Sequence, residues 1–384
     1  MTGTTVIHSA RIVSGGRSTP DAWVRFEGER IAARGVGIHW RDGLPAEAIV
    51  EDATGLLLVP GFIDLHCHGA GGAAVEDGVA GIDRMLAVHS AHGTTRTVCS
   101  LVSAPVDALA ARLDAIAQAA ARDPRVLGAH LEGPFLDTEF RGAHDPAVLR
   151  APDAAAVTAL LEAAAGTLVQ LTLAPEHDGA VDAIRRFVDA GVRVAVGHTG
   201  ADFGTARAAF DAGASILTHA FNGMHGIHHR APGPVVAAMT AAHVTLEIIN
   251  DGVHVHPDVV TLAFRGAPGR IALITDAMAA TGAADGDYTL GSLAVVVEAG
   301  VARLAGTGAI AGSTLTLDAA LRRTVVDCGI PLPDAVDAVT AIPAATIGRA
   351  HDLGRLDVGY AADAVLLDDG FGVRSVWAAG IRRA

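Results

Sequence analysis

At six separated places in this chain a short apolar run ends in a side chain that can bind a metal or move a proton. They are His66 and His68 in GFIDLHCHG, Glu132 in GAHLEGPF, His198 in VAVGHTGA, His219 in ILTHAFNG, His254 in INDGVHVH and Asp276 in ALITDAMAATG. A β-strand delivers one residue to its tip, and several tips meet at one point only when the strands run parallel and close into a barrel. Imidazoles and carboxylates gathered at such a point make a divalent-metal hydrolase site, with a further carboxylate as general base.

Read singly, each signal has an ordinary alternative. On a strand Asp64, His66 and His68 share one face while Leu65 and Cys67 take the other. Two imidazoles ~7 Å apart along a strand can grip one cation, or simply line an interior. Glu132 stands before Gly-Pro, where a strand stops; alone it reads as a solvated loop residue. His198 between two glycines could begin a helix, and Asp276 could cap one. The shared position at strand ends favours the metal site.

The elements that would position these residues follow from the pattern. Apolar runs at 56–65, 94–102, 126–131, 168–174, 192–196, 215–218, 245–250 and 271–275 alternate with Ala-rich helical stretches, as βα repeats do. Eight strands suit a (β/α)8 TIM barrel; an open doubly wound sheet has no natural use for six strand ends at one point. Residues 289–305 read as an inserted hairpin and 315–327 as the closing helix. The two chain ends are strand-and-turn sequence, so residues 1–58 and 345–384 are expected to join as a small discontinuous β-sandwich domain around a barrel of residues 59–344.

Composition narrows the partners. The 384 residues are 51% hydrophobic and 18% charged, enough for a large core. With 28 basic and 42 acidic residues the net charge is −14, and no basic stripe is present, so no nucleic-acid partner is expected. A small anion needs a local cluster such as His228, His229 and Arg230. Cys67, Cys99 and Cys328 show no paired spacing, which points to a reducing, cytoplasmic setting. Neither a signal peptide nor a membrane span is expected. Every basic residue is Arg, which excludes a Lys Schiff base, a P-loop Lys and a carboxylated-Lys metal bridge. His8, His39, His89, His92, His177, His243 and His351 lack motif context and read as packing or surface residues.

The strings PGFIDLHCHGAGG, HLEGPF with RGAH after it, GHTGA, THAFNGMH, DGVHVHP and TDAMAATG resemble the amidohydrolase superfamily, and within it the branch that deacetylates phosphorylated amino sugars. The resemblance covers essentially the whole chain. It implies a metal held by Glu132, His198 and His219, and a second on His66 and His68 with Glu132 as bridge. The ion would be zinc, or else iron, manganese or cobalt, one or two per subunit. It further implies Asp276 as catalytic acid/base and His144, Asn222 and Gly223 as substrate contacts. Arg230 and His254 would receive a sugar phosphate, and Ile310, Ala311 and Gly312 would cover the sugar. The implied reaction converts N-acetylglucosamine 6-phosphate to glucosamine 6-phosphate and acetate, in amino-sugar catabolism or recycling, within a homodimer. N-acetylgalactosamine 6-phosphate, a D-aminoacylase-type substrate, and a non-catalytic barrel are the alternatives. Some relatives carry a cysteine in the flap where this chain has DTEFRGAH.

Overall fold

The computed structural model describes residues 3–384, so the first two positions of the expected N-terminal segment lie outside it. Eight parallel strands are neighbours in chain order: Phe62–Cys67, Thr94–Val102, Val126–Glu132, Leu168–Leu173, Arg193–Val196, Ile216–Leu217, Thr245–Ile249 and Ile271–Ile274. A parallel bridge from Cys67 to Ala277 returns the eighth strand to the first. Helices Val79–Ala91, Val106–Arg122, Ala154–Ala164, Ala180–Asp189, Phe203–Asp211, Gly233–Thr240 and Pro257–Gly266 connect successive strands, and Leu317–Val326 follows the eighth. The molecule is a (β/α)8 barrel.

The strands read as apolar runs because both faces are covered; all nine residues of Thr94–Val102 are buried. A surface helix carries a single apolar stripe. In Ala180–Asp189 the buried residues are Ala180, Ala183, Ile184 and Phe187, the i, i+3, i+4, i+7 face. Pointing inward from the strands are polar side chains, Ser100, His130, Gln170, Thr172, Thr218 and Glu247, all fully buried.

The single strand read over 56–65 is two strands. Leu57–Pro60 pairs with Arg11–Ile12 and Ala364–Leu367 in a separate sheet, whereas Phe62–Cys67 enters the barrel beside Thr94–Val102. Gly61 marks the change, and a Cβ there would lie 2.1 Å from Thr95 Oγ1. The chain must pass close to its neighbour, and only glycine fits.

Both chain ends build that separate eight-stranded sheet, from Thr4–Ser14, Arg17–Glu27, Arg30–Val36, Ile49–Asp52, Leu57–Pro60, Ala364–Leu367, Val373–Ala378 and Ile381–Arg382. It has its own apolar cluster, including Ile7, Val24, Phe26, Leu366 and Trp377. The expected hairpin at 289–305 is part of a three-stranded antiparallel sheet, Gly286–Leu290, Leu293–Glu298 and Val301–Leu304. Two short helices, Leu332–Val339 and Ala341–Thr346, add to the expected elements.

One buried ion pair ties the terminal sheet to the barrel. Arg96 donates from Nε to Asp363 Oδ2 at 2.6 Å and from its terminal nitrogen to Oδ1 at 3.0 Å, and Asp363 Oδ1 also accepts from Ala379 N. Removing one partner of such a pair strands the other charge. Asp363→Ala should therefore lower unfolding free energy by about 3–5 kcal/mol while leaving kcat of the folded fraction unchanged. Chemical denaturation alongside an active-fraction assay checks this.

Candidate active site

The barrel's C-terminal mouth gathers the sequence-derived candidates. Glu132, last residue of the third strand, is the hub. Its Oε1 lies 3.1 Å from His198 Nε2, 3.1 Å from His219 Nε2 and 3.4 Å from His66 Nε2. Its Oε2 lies 3.3 Å from both His68 Nε2 and His144 Nε2. Asp276 Oδ1 faces the other pair, 3.3 Å from His68 Nε2 and 3.5 Å from His66 Nε2. All these residues are less than a tenth exposed.

Three of them hold an unusual backbone. His198, His219 and Asp276 follow their strands with φ of 47°, 27° and 50°, the left-handed region that costs non-glycine residues about 1–3 kcal/mol each. All three line the cavity at the mouth. Asp276 is pinned on both sides: its N–H donates to His66 O at 2.8 Å, and its carbonyl accepts from Ser313 N at 2.7 Å. The site residues thus close the barrel between its first and last strands.

Ring-nitrogen partners set His198 apart from His144. His198 Nδ1 lies 2.9 Å from Phe140 O, which can only accept, so Nδ1 carries the proton and Nε2 offers a lone pair. That lone pair points at Glu132 Oε1, an acceptor, and at His219 Nε2, 3.0 Å away. Imidazole nitrogens and a carboxylate oxygen packed this closely suit a cation, and histidine with carboxylate is a donor set that divalent metals take. His66 Nε2 and His68 Nε2, 3.0 Å apart, make a second such convergence with Asp276. His144 differs. Its Nδ1 accepts from Ser103 N at 3.3 Å, so its neutral ring carries the proton on Nε2 and donates toward Glu132. Burial, partly opposed by Glu132, holds its pKa down to about 4, which keeps it a neutral donor.

The electrostatics also call for positive charge. Burial disfavours charge on His68, yet Asp276 and Glu132 override it and lift its pKa to about 9. Burial pushes Asp64 up to about 6, against hydrogen bonds from Thr275 and the His66 N–H. Asp64 accepts from Thr275 Oγ1 at 2.6 Å and braces the first strand without facing the hub.

A cavity of about 160 Å³ opens above the hub. His68, Glu132, His144, His198, His219 and Asp276 line its floor, and Asn222, Gly223, His254, Ile310 and Gly312 its walls. His254 is fixed by Asp251, whose Oδ2 lies 2.7 Å from Nδ1. Two candidates fall elsewhere. Ala311 is fully buried in the apolar cluster under the three-stranded sheet, with Met278 and Val295. Arg230 is exposed and borders a different depression, with Asp202, Phe203 and His225. A larger cavity, about 880 Å³, lies at the opposite end of the barrel, beside the strand-start residues Arg193, Thr245 and Ile271. It holds none of the clustered histidines, and barrel chemistry sits at the other face.

Two buried residues near the hub escaped the sequence reading. His130 packs edge-on to His66 with ring centroids 4.5 Å apart, both nitrogens engaged by Ser100 and Thr172 at 2.9 and 2.8 Å. Its spacing two before Glu132 puts it on the same strand face. Glu247 is a lone carboxylate inside the apolar run TLEIIN, and that isolation was its signal.

Fold and donor set together define a metal-dependent hydrolase barrel. The chain belongs to the amidohydrolase family, whose pattern it matches over residues 57–382. It is 40% identical over 366 residues to the N-acetylgalactosamine-6-phosphate deacetylase of Escherichia coli O157:H7, covering 94% of this chain and 96% of that one. It is 37% identical over 327 residues to the N-acetylglucosamine-6-phosphate deacetylase of Vibrio furnissii, covering 84% and 82%. Among solved structures, a mutant of the Mycobacterium smegmatis N-acetyl-D-glucosamine-6-phosphate deacetylase, in complex with N-acetyl-D-glucosamine-6-phosphate, superposes with a TM-score of 0.93. It is 39% identical and covers all of both chains.

Proposed function

We infer that this enzyme hydrolyses the N-acetyl group of N-acetylglucosamine 6-phosphate, giving glucosamine 6-phosphate and acetate. The observation that carries the reading is one carboxylate, Glu132, within 3.1–3.4 Å of five imidazole nitrogens, four of them from the ends of three strands, with Asp276 opposite. The full-length likeness to deacetylases of 6-phosphorylated amino sugars supplies the substrate class.

Glu132, His198 and His219 would hold one divalent ion and His66 with His68 a second, zinc suiting this mixed donor set best. When bound, such an ion supplies Lewis acidity, polarising the amide carbonyl and making water acidic enough to deprotonate near neutral pH. Asp276 takes the proton of the attacking water and passes it to the departing amine. His144 donates a hydrogen bond from Nε2–H to the developing oxyanion. His254 and Asn222, on the cavity wall, orient the sugar.

The 40% identity to a galactosamine-type relative favours a second reading, in which the galacto epimer is the substrate. Acetate release measured on both N-acetylated 6-phosphates, on their unphosphorylated forms and on an N-acyl-D-amino acid, with metal analysis of the same sample, tests the assignment. Turnover confined to the amino acid would defeat it.

Arg230 stands on an exposed loop outside its own cavity, which fits a homodimer in which the loop meets the substrate phosphate in the partner subunit. A guanidinium–phosphate contact is worth about 1.5–3 kcal/mol. Arg230→Ala should therefore raise KM for the phosphorylated substrate about 10–100-fold, with metal content and kcat little changed. An equal effect on the unphosphorylated sugar would contradict a phosphate contact. The three cysteines are free and buried, which supports a cytoplasmic setting, and among the described residues no helix is long and apolar enough to cross a membrane.

A further inference from the structure

Glu247 belongs to the seventh strand, is fully buried and does not border the cavity. Its Oε1 accepts from Gln170 Nε2 at 2.8 Å, across the barrel interior. Its Oε2 has no hydrogen-bond donor, and neither has His66 Nδ1 an acceptor; the two face each other at 3.6 Å. A buried carboxylate is costly unless something compensates it. Among the described residues His66 is its only ion-pairing group.

The surrounding charge sharpens the point. Glu132, Glu247 and Asp276 are all buried at this end of the barrel, and among the described residues no arginine pairs with any of them. One divalent ion would leave one of the three carboxylate charges unmatched, and a second would match it. A metal-binding histidine is held in one tautomer by what its other nitrogen meets, and losing that partner weakens metal affinity about 10–100-fold.

We propose that Glu247 is a positioning residue that gives the His66–His68 half of the site a cation of its own. It holds His66 as the Nδ1–H tautomer, turning the Nε2 lone pair toward Glu132 and Asp276, and its charge favours a second divalent ion. The inference rests on the metal-dependent reading above.

The test is calorimetric titration of zinc into metal-stripped wild type, Glu247→Gln, Glu247→Asp and His66→Ala, with melting curves of the metal-free and loaded forms. Wild type should take up two equivalents. Glu247→Gln should keep the tighter one unchanged and bind the other about 10–100-fold more weakly. His66→Ala should lose that same equivalent, and Glu247→Asp should recover part of it relative to Gln. Metal-free Glu247→Gln should melt no lower than metal-free wild type, because a neutral group of the same shape replaces an under-compensated buried charge. A purely structural role would lower melting in both forms and leave both affinities alone. Two unchanged equivalents in Glu247→Gln overturn the proposal, as does a wild type that takes up only one. A wild type that binds no zinc overturns the metal-dependent reading itself, and the inference with it.

Discussion

Asp276→Asn should lower kcat by about 10³-fold, within the range that a positioned acid/base contributes, while the ion on Glu132, His198 and His219 stays bound. Asp276 is well suited to so selective a loss. Its φ of 50° is a conformation that Asn adopts as readily as Asp, so the substitution adds no backbone strain. Its backbone bonds to His66 and Ser313 do not involve the side chain. Its carboxylate faces His66 and His68, at 3.5 and 3.3 Å, and has no ion-pair contact with His198 or His219. The amide keeps an oxygen for those rings and loses the negative charge together with the capacity to take up and return a proton. Steady-state kinetics with metal analysis on the same preparation decides the matter. A variant that turns over near the wild-type rate would remove Asp276 from the reaction, and one that lost its metal would make it a ligand first.

Glu132→Ala should produce the other large effect. Five imidazoles converge on this carboxylate, and each oxygen is shared by at least two of them. Without it, His198 and His219 retain ring nitrogens 3.0 Å apart and no anion to balance a cation. The expected result is a metal content far below one equivalent and turnover at background. Metal binding to the native state is also folding free energy, about 4 kcal/mol at a thousandfold excess over Kd. The wild type should therefore melt higher as zinc is added, and Glu132→Ala should not respond. A metal-responsive melting temperature in the variant would mean that another group anchors the ion.

Much of this site could be read from short strings because a parallel barrel converts sequence position into spatial position. A residue at the end of an apolar run becomes a residue at the mouth, whichever run it ends. Glu132, His198, His219 and Asp276 could be singled out that way, and period-two alternation put His66 and His68 on one face. The same rule failed at 56–65. A continuous apolar stretch does not show that Gly61 must pass against Thr95, splitting it between two sheets. Arg230 was legible as a phosphate-binding type, yet its exposed loop places it away from the cavity of its own chain.

What the sequence by itself determined is the inventory: which side chains can ligate or carry protons, the absence of lysine, and the periodicities that make eight strands and their helices. Tertiary structure alone decided which atom of each side chain does what. His144 and His198 are both histidines beside Glu132. The Ser103 N–H makes one a donor at Nε2 and the Phe140 carbonyl leaves the other a lone pair at Nε2. His66 acquires its orientation from Glu247, and His130 loses both nitrogens to Ser100 and Thr172. An imidazole has two nitrogens of nearly equal basicity, so the group packed behind the ring settles its chemistry. That group comes from a different strand, and only folding brings the two together.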